Sequence, residues 1–148
     1  MGATGSKEVK KVQEQRLDVL DIKGKGITTI PKSIGGCAHI ERIVASDNQI
    51  SKLPKEIGGL VNLVRLNLFN NKLTEIPMEI NNCTKLEELN LSVNSIKELP
   101  RGYGCLTKII FLDISSNNLR EIGPQIGMLT TLKVFNIKLN LKEYFYLF

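Results

Sequence analysis

The stretch NLVRLNLFNNKLTEIPMEINNCTK, residues 62–85, contains the pattern that organises the whole chain. Leucine or isoleucine recurs in it at fixed places, with an asparagine and a proline between them. These slots are Leu63, Leu66, Leu68, Asn71, Leu73, Ile76, Pro77 and Ile80. The pattern repeats every 23 residues, with units starting at Leu17, Ile40, Leu63, Leu86, Ile109 and Leu132. Self-similarity at such a period is typical of architectures in which each unit stacks on the next.

Each slot of the unit has a physical reason. The Leu-x-Leu pair puts two side chains on one face of a short strand, because strand side chains alternate with a period of two. The amide side chain in the asparagine slot both donates and accepts hydrogen bonds, so it can pair backbone groups in the turn that leaves the strand. This slot holds Asn48, Asn71, Asn94 and Asn117, and Asn140 extends the series. We interpret these asparagines as structural and not as a ligand site.

Units of this kind are leucine-rich repeats, and they predict an α/β solenoid. No unit can bury its apolar face alone, so the strands stack in parallel, about 4.8 Å apart. We therefore expect a curved array of 23-residue repeats with a parallel sheet on its inner face. The proline that follows the strand fixes φ and prevents a helix from starting at once, so the convex side should consist mostly of turns and short helices.

The two ends of the chain depart from the repeat. Residues 1–16 are a polar segment, in which Ser6 is the expected N-cap of a cap helix over residues 7–16 whose Val9 and Val12 cover the first repeat. Residues 17–148 are the expected leucine-rich repeat domain, with five full repeats and a partial sixth. The chain finishes with the apolar run Tyr144, Phe145, Tyr146, Leu147 and Phe148. Because a finished solenoid ends on a polar cap, we hypothesise a truncated or alternatively ended product of a longer repeat protein, whose open end favours dimerisation or aggregation.

The composition argues against several classes of function. The net charge of +5 is spread among 15 acidic residues, aromatic residues make up 5% of the chain and tryptophan is absent, which is unlike a nucleic-acid binder. One histidine, His39, and three cysteines without C-x-x-C spacing offer no metal or catalytic constellation. Cys37 and Cys83 fall in one interior slot and are predicted to be buried thiols, whereas Cys105 should be more exposed. We expect no enzyme, no cofactor, no metal site and no nucleic-acid partner.

The candidate functional surface is the concave face of the predicted sheet. Residues between the buried leucines point outward there, because strand side chains alternate. Aromatic and arginine side chains dominate the energetics of protein interfaces, and both occur at these positions. The predicted partner-binding residues are Arg42, Val44, Arg65, Asn67, Phe69, Glu88, Asn90, Phe111 and Asp113. The alternative for Phe69 and Phe111 is that they partly tuck between their neighbours.

The 23-residue unit with its fixed Leu-Pro pair resembles the intracellular Ras-group leucine-rich repeat proteins, and among them the Ras-suppressor-like proteins. The stretch at residues 62–85, ELPRGYGCL at residues 98–106 and the basic start KEVKKVQEQR at residues 7–16 carry the resemblance, which covers nearly all of residues 7–140. The chain is shorter than that family's members and lacks their later repeats. The resemblance implies a cytoplasmic, non-enzymatic adaptor in Ras-type small-GTPase signalling or cell adhesion, with a small GTPase or a LIM-domain adaptor as its partner.

An alternative reading makes the chain a membrane-associated module. The opening Met1-Gly2-Ala3-Thr4-Gly5-Ser6 fits the N-myristoylation pattern, with Gly2 as the candidate for lipidation. One acyl chain needs a second signal for stable anchoring, and Lys7, Lys10 and Lys11 would provide it. Acylation would place the protein at the inner face of the plasma membrane.

Overall fold

The computed structural model describes residues 2–140, in which one α-helix precedes a series of strands and 3₁₀ helices. Helix α1 spans Gly2–Gln15. The strands are β1 Val19–Asp21, β2 Arg42–Val44, β3 Arg65–Asn67, β4 Glu88–Asn90, β5 Phe111–Asp113 and β6 Val134–Asn136. The 3₁₀ helices are Lys32–Gly36, Lys55–Gly59, Met78–Asn82, Tyr103–Cys105 and Pro124–Met128.

The strands form one parallel sheet in sequence order from β1 to β6. Its register follows the repeat, so that Ile43 in β2 lies opposite Leu20 in β1 and Leu66 in β3. The middle residues of the first five strands are buried, and the leucine and isoleucine slots around them form one continuous core. A 3₁₀ helix follows Pro31, Pro54 and Pro77, each extended at the N-cap. The predicted leucine-rich repeat solenoid, with an inner parallel sheet and short helices opposite it, is confirmed.

The asparagine slots form the expected ladder of backbone hydrogen bonds. The Nδ2 atom of Asn71 donates to the carbonyl oxygens of Ala45, Leu68 and Phe69 at 2.9, 3.1 and 3.3 Å. Its Oδ1 accepts from the backbone N–H of Ile50 at 2.9 Å. One side chain therefore joins two consecutive units, and Asn140 continues the ladder into the last unit. The structural interpretation of these asparagines is confirmed.

The N-terminal helix is longer than the sequence predicts. It starts at Gly2 and not at Lys7, so Ser6 lies inside it and is not its N-cap. Gly5 lets the extra turn approach the first repeat closely: it is buried, and a Cβ there would stand 3.2 Å from the carbonyl oxygen of Thr29, so the first turn of α1 packs directly on the first repeat. Val9 and Val12 are buried as expected. The first repeat is therefore covered over a wider area than two valines would cover.

One expectation for a single residue needs correction. Leu17 occupies a leucine slot but is 38% exposed, because it lies in the connection that leaves α1, where its N–H donates to the carbonyl oxygen of Val12. His39 is half-exposed, and its Nε2 lies 3.3 Å from that same carbonyl oxygen. The cysteine predictions are confirmed: Cys37 and Cys83 are buried and Cys105 is exposed. The apolar run Tyr144–Phe148 lies outside the described residues.

Candidate protein-binding surface

The concave face presents the outward residues of the six strands in two parallel lanes. The first lane follows the register from Arg42 through Arg65, Glu88 and Phe111, and the second runs from Val44 through Asn67, Asn90 and Asp113. Arg42, Arg65 and Glu88 are exposed, whereas the other five are half-buried. The structure therefore gathers eight of the nine predicted partner-binding residues on four adjacent strands, β2 to β5.

The first lane carries two positive charges and one negative charge, and in the described part of the chain only one of the arginines is paired. Glu88 lies directly opposite Arg65, and its Oε1 lies 3.2 Å from the Arg65 Nε in an ion pair. On the other side of Arg65 stands Arg42, with no acidic ion-pair partner among residues 2–140. An exposed ion pair contributes little to stability, because water screens it and two long side chains must be ordered. The charged side chains of this surface therefore contribute little to the stability of the fold.

Three side chains of the second lane form hydrogen bonds with the backbone that the sequence analysis did not predict. The Oδ1 atoms of Asn67, Asn90 and Asp113 each accept from the backbone N–H two residues ahead, at 2.9–3.0 Å. Such local bonds are common where asparagine or aspartate ends a strand and the chain turns. The signal was present in the sequence as Asn or Asp two residues before Phe69, Ser92 and Ser115. The amide groups of Asn67 and Asn90 are thereby fixed in orientation.

A hollow of about 240 Å³ lies in the middle of this face. We name it the arginine hollow and define it by Arg42, Val44, Arg65, Asn67, Glu88, Asn90 and Phe111. Phe111 forms one wall and is half-buried, so the alternative that it tucks between its neighbours holds in part. Phe69 is 36% exposed and lies outside the hollow. The two phenylalanines therefore do not form one apolar patch.

Other places on the molecule offer less chemistry. A hollow of about 260 Å³ on the side of the 3₁₀ helices is lined in part by Tyr103. The hydroxyl of Tyr103 donates to the carbonyl oxygen of Ile122 at 2.6 Å. Burial raises the pKa of that hydroxyl, in keeping with a structural role. Burial also raises the pKa of the Cys83 thiol, to about 11. Within residues 2–140 no group of three His, Cys, Asp or Glu side chains is placed to hold a metal ion.

None of the helices within residues 2–140 combines the length and the apolar character that a membrane span requires.

Comparisons with known proteins agree with this geometry. Residues 61–101 match the family model described as Leucine Rich repeats (2 copies). A solved leucine-rich repeat protein of Leptospira interrogans is similar at 34% identity and a TM-score of 0.73, over 76% of this chain and 29% of that one. The plant peptide hormone receptor RGFR1, solved in complex with RGF2, is similar at 30% identity and a TM-score of 0.68, over 76% of this chain and 18% of the receptor.

No match was found among curated proteins. The chain spans less than a third of the length of either solved protein, so the likeness concerns the repeats and not the whole of those molecules. The periodic core, the asparagine ladder and these likenesses together make the chain a leucine-rich repeat solenoid.

Proposed function

We propose that the chain is a non-enzymatic adaptor whose concave face binds a protein partner. The observation that carries this proposal is the open strand surface on which Arg42, Arg65 and Glu88 remain exposed beside Phe111. Leucine-rich repeat domains generally mediate protein–protein interaction and typically act as non-enzymatic scaffolds. Arginine and aromatic side chains around a partly desolvated hollow are the types that dominate binding energy.

The cellular role in this proposal comes from the resemblance in sequence. The chain resembles the Ras-suppressor-like proteins, which favours a cytoplasmic adaptor in Ras-type small-GTPase signalling or cell adhesion. A small GTPase or a LIM-domain adaptor is the corresponding partner. The receptor complex among the similar structures supports a partner-binding role for this fold and says nothing of this particular partner.

The test is capture of partners from cell lysate, read by mass spectrometry. The baits are the full chain, the double variant Arg65→Ala/Phe111→Ala, and a control variant Met78→Ala/Arg120→Ala that changes two exposed side chains away from the concave lanes. We expect a small GTPase or a LIM-domain adaptor with the wild type and the control but not with the concave variant. Recovery of the same proteins by all three baits, or of chaperones alone, would overturn the proposal.

A second candidate is a lipidated, membrane-associated module. The exposed side chains of Lys7, Lys10 and Lys11 on α1, close to the candidate acylation site Gly2, favour it. Mass spectrometry of the N-terminus of the protein from its native cells tests it, with Gly2→Ala as the comparison. We expect a myristoyl mass on the wild type and none on the variant. An unmodified N-terminus on the wild type would remove this candidate.

A further inference from the structure

Two arginines lie side by side on the concave face, and one acid, Glu88, lies on the far side of Arg65. Arg42 and Arg65 are Cα partners in the register of β2 and β3, and parallel strands lie about 4.8 Å apart. Like charges directly opposite each other on a sheet destabilise it. Glu88 neutralises Arg65 through the 3.2 Å contact, which leaves the charge of Arg42 without a partner in the described chain. Asp18 and Glu41 border the adjoining hollow with Arg42 and form no ion pair with it.

The floor of the arginine hollow offers hydrogen-bond donors. The Oδ1 atoms of Asn67 and Asn90 face their own turns, where they accept from the N–H groups of Phe69 and Ser92. A backbone N–H can only donate, so this bond fixes which end of each amide is the oxygen. The Nδ2 groups are left for the hollow, and neither donates to an acceptor within the part of the chain that the structure describes. The polar side chains there, Glu88 excepted, can donate to a ligand oxygen.

The charge of the hollow selects the kind of anion. Arg42 and Arg65 bring two positive charges and Glu88 brings one negative charge, so the hollow has a net charge of +1. One carboxylate neutralises that charge, whereas a phosphate dianion would leave an excess negative charge beside Glu88. Phe111 and Val44 add apolar walls next to the donors. A carboxylate with an apolar neighbour therefore fits both the charge and the walls.

We propose that the arginine hollow binds the side-chain carboxylate of an aspartate or glutamate of the protein partner, with an adjacent apolar side chain of that partner against Phe111. This inference rests on the proposed function, since it names the chemistry of the partner at the same surface. Arg42 receives the carboxylate as a charge-assisted donor, and the Asn67 and Asn90 amides complete its hydrogen bonds. Arg65 stays paired with Glu88.

The first experiment measures the chemistry without a partner protein. The full chain, labelled for NMR at its arginine Nε groups, is titrated with N-acetyl-Phe-Glu amide, N-acetyl-Phe-Gln amide and phenyl phosphate. We expect saturable shifts of the Arg42 signal with the glutamate probe, at an affinity about tenfold higher than with the glutamine probe or phenyl phosphate. Equal shifts with the glutamate and glutamine probes, or no saturation, would overturn the inference. Tighter binding of phenyl phosphate would overturn the choice of carboxylate.

Variants separate a binding role from a structural one. Arg42→Gln keeps a polar side chain and removes the charge, and Arg120→Gln makes the same change at an exposed arginine outside the hollow. We expect the first to lose the glutamate probe and the second to keep it. The thermal midpoint of the free Arg42→Gln protein should stay unchanged or rise, because the repulsion with Arg65 is removed. A lowered midpoint would assign Arg42 to the fold and count against the inference.

The capture experiment distinguishes this inference from the proposed function. If partners bind the wild type and are lost with Arg65→Ala/Phe111→Ala, but Arg42→Gln binds them unchanged, the adaptor function stands and the carboxylate site fails. If the glutamate probe binds as expected and no partner depends on the concave face, the site stands and the adaptor function fails.

Discussion

The first and the last repeat share one sequence pattern and differ in what covers them. At the N-terminal end, α1 places Val9 and Val12 on the first repeat, and the strand residue Leu20 is fully buried. In the last repeat the equivalent residue, Phe135, is 38% exposed, and Val134 and Leu139 are exposed as well. Within residues 2–140, β6 has a neighbouring strand on one side only. The pattern thus assigns a residue to the core, but burial requires a neighbour on both sides.

This difference predicts how much each unit contributes to the free energy of unfolding. In a solenoid, stability is approximately the sum of each unit's own contribution and of its contacts with the two neighbours. Burying a leucine-sized side chain is worth about 1.5–3 kcal/mol, and a half-covered one contributes correspondingly less. Substitutions should therefore destabilise the chain strongly in the middle units and weakly in the last unit of residues 2–140, where the strand residues are exposed.

The contrast between the covered first repeat and the more exposed last repeat is tested most strongly by placing a charged residue in each of these two regions. Val9→Asp puts a carboxylate on the buried face of α1, at a side chain that is 0% exposed, and we expect it to lower the free energy of unfolding by about 4 kcal/mol or to prevent folding. Val134→Asp makes the same change at a residue that is 48% exposed, and we expect an effect within about 0.5 kcal/mol. Urea denaturation followed by circular dichroism measures both. A large loss with Val134→Asp would show that this end is covered in solution.

The asparagine ladder gives a second, smaller contrast. Asn71→Ala removes three donated bonds and one accepted bond in the middle of the array, and we expect a loss of about 3 kcal/mol, because buried backbone groups are left unpaired. Asn140→Ala removes two donated bonds and one accepted bond at a side chain as buried as Asn71, but in a unit whose strand residues Val134 and Phe135 are exposed. We expect a loss of about 1 kcal/mol there. Equal losses in urea denaturation would contradict the idea that the ends tolerate more.

The sequence predicts the solenoid well because its slots recur at one period. A leucine or isoleucine in a slot reports both the strand face and the contact with the next unit, so the parallel sheet and the role of Asn71 follow from spacing. The start of α1 was not readable, since the signal is the close approach of Gly5 to the Thr29 carbonyl, which depends on tertiary packing. The exposure of Leu17 and Phe135 was missed as well, because a slot reports neither the connection that leaves α1 at Leu17 nor how far other units cover Phe135.

The concave surface was predicted as a set of residues and not as an arrangement. Alternation places Arg42 and Phe111 on the open face, and the structure agrees. Spacing alone does not say that Glu88 pairs with Arg65 and leaves Arg42 alone, because that choice depends on side-chain conformations across strands. Spacing also does not predict that Phe111 lines the arginine hollow and that Phe69 lies outside it.

The pH dependence of the free energy of unfolding tests whether water is excluded from Cys83 in a middle unit. Burial raises the pKa of Cys83 to about 11, so its stabilising effect is complete below the unfolded pKa near 9.0 and is lost as the pH rises towards 11. We expect wild type to lose about 2 kcal/mol more than Cys83→Ala between neutral pH and about pH 10.5. The exposed Cys105→Ala variant is the control, because it should follow wild type. Parallel profiles for wild type and Cys83→Ala would mean that water reaches this unit.

The smallest effect concerns the ion pair that ties α1 to the first repeat. Lys25 Nζ lies 2.6 Å from Glu8 Oε1, and both side chains are about one-third exposed, so we expect Glu8→Gln to cost only about 0.5 kcal/mol, and less at high salt. Glu14→Gln is the matched control: its contact with Lys10 is 3.7 Å long within the helix, near the C-terminus of α1, where a negative charge is unfavourable. Its removal should be neutral or slightly stabilising in urea denaturation. If Glu8→Gln costs as much as Asn71→Ala, a charge and not apolar packing holds the cap in place, and the contrast between the two ends would need a different explanation.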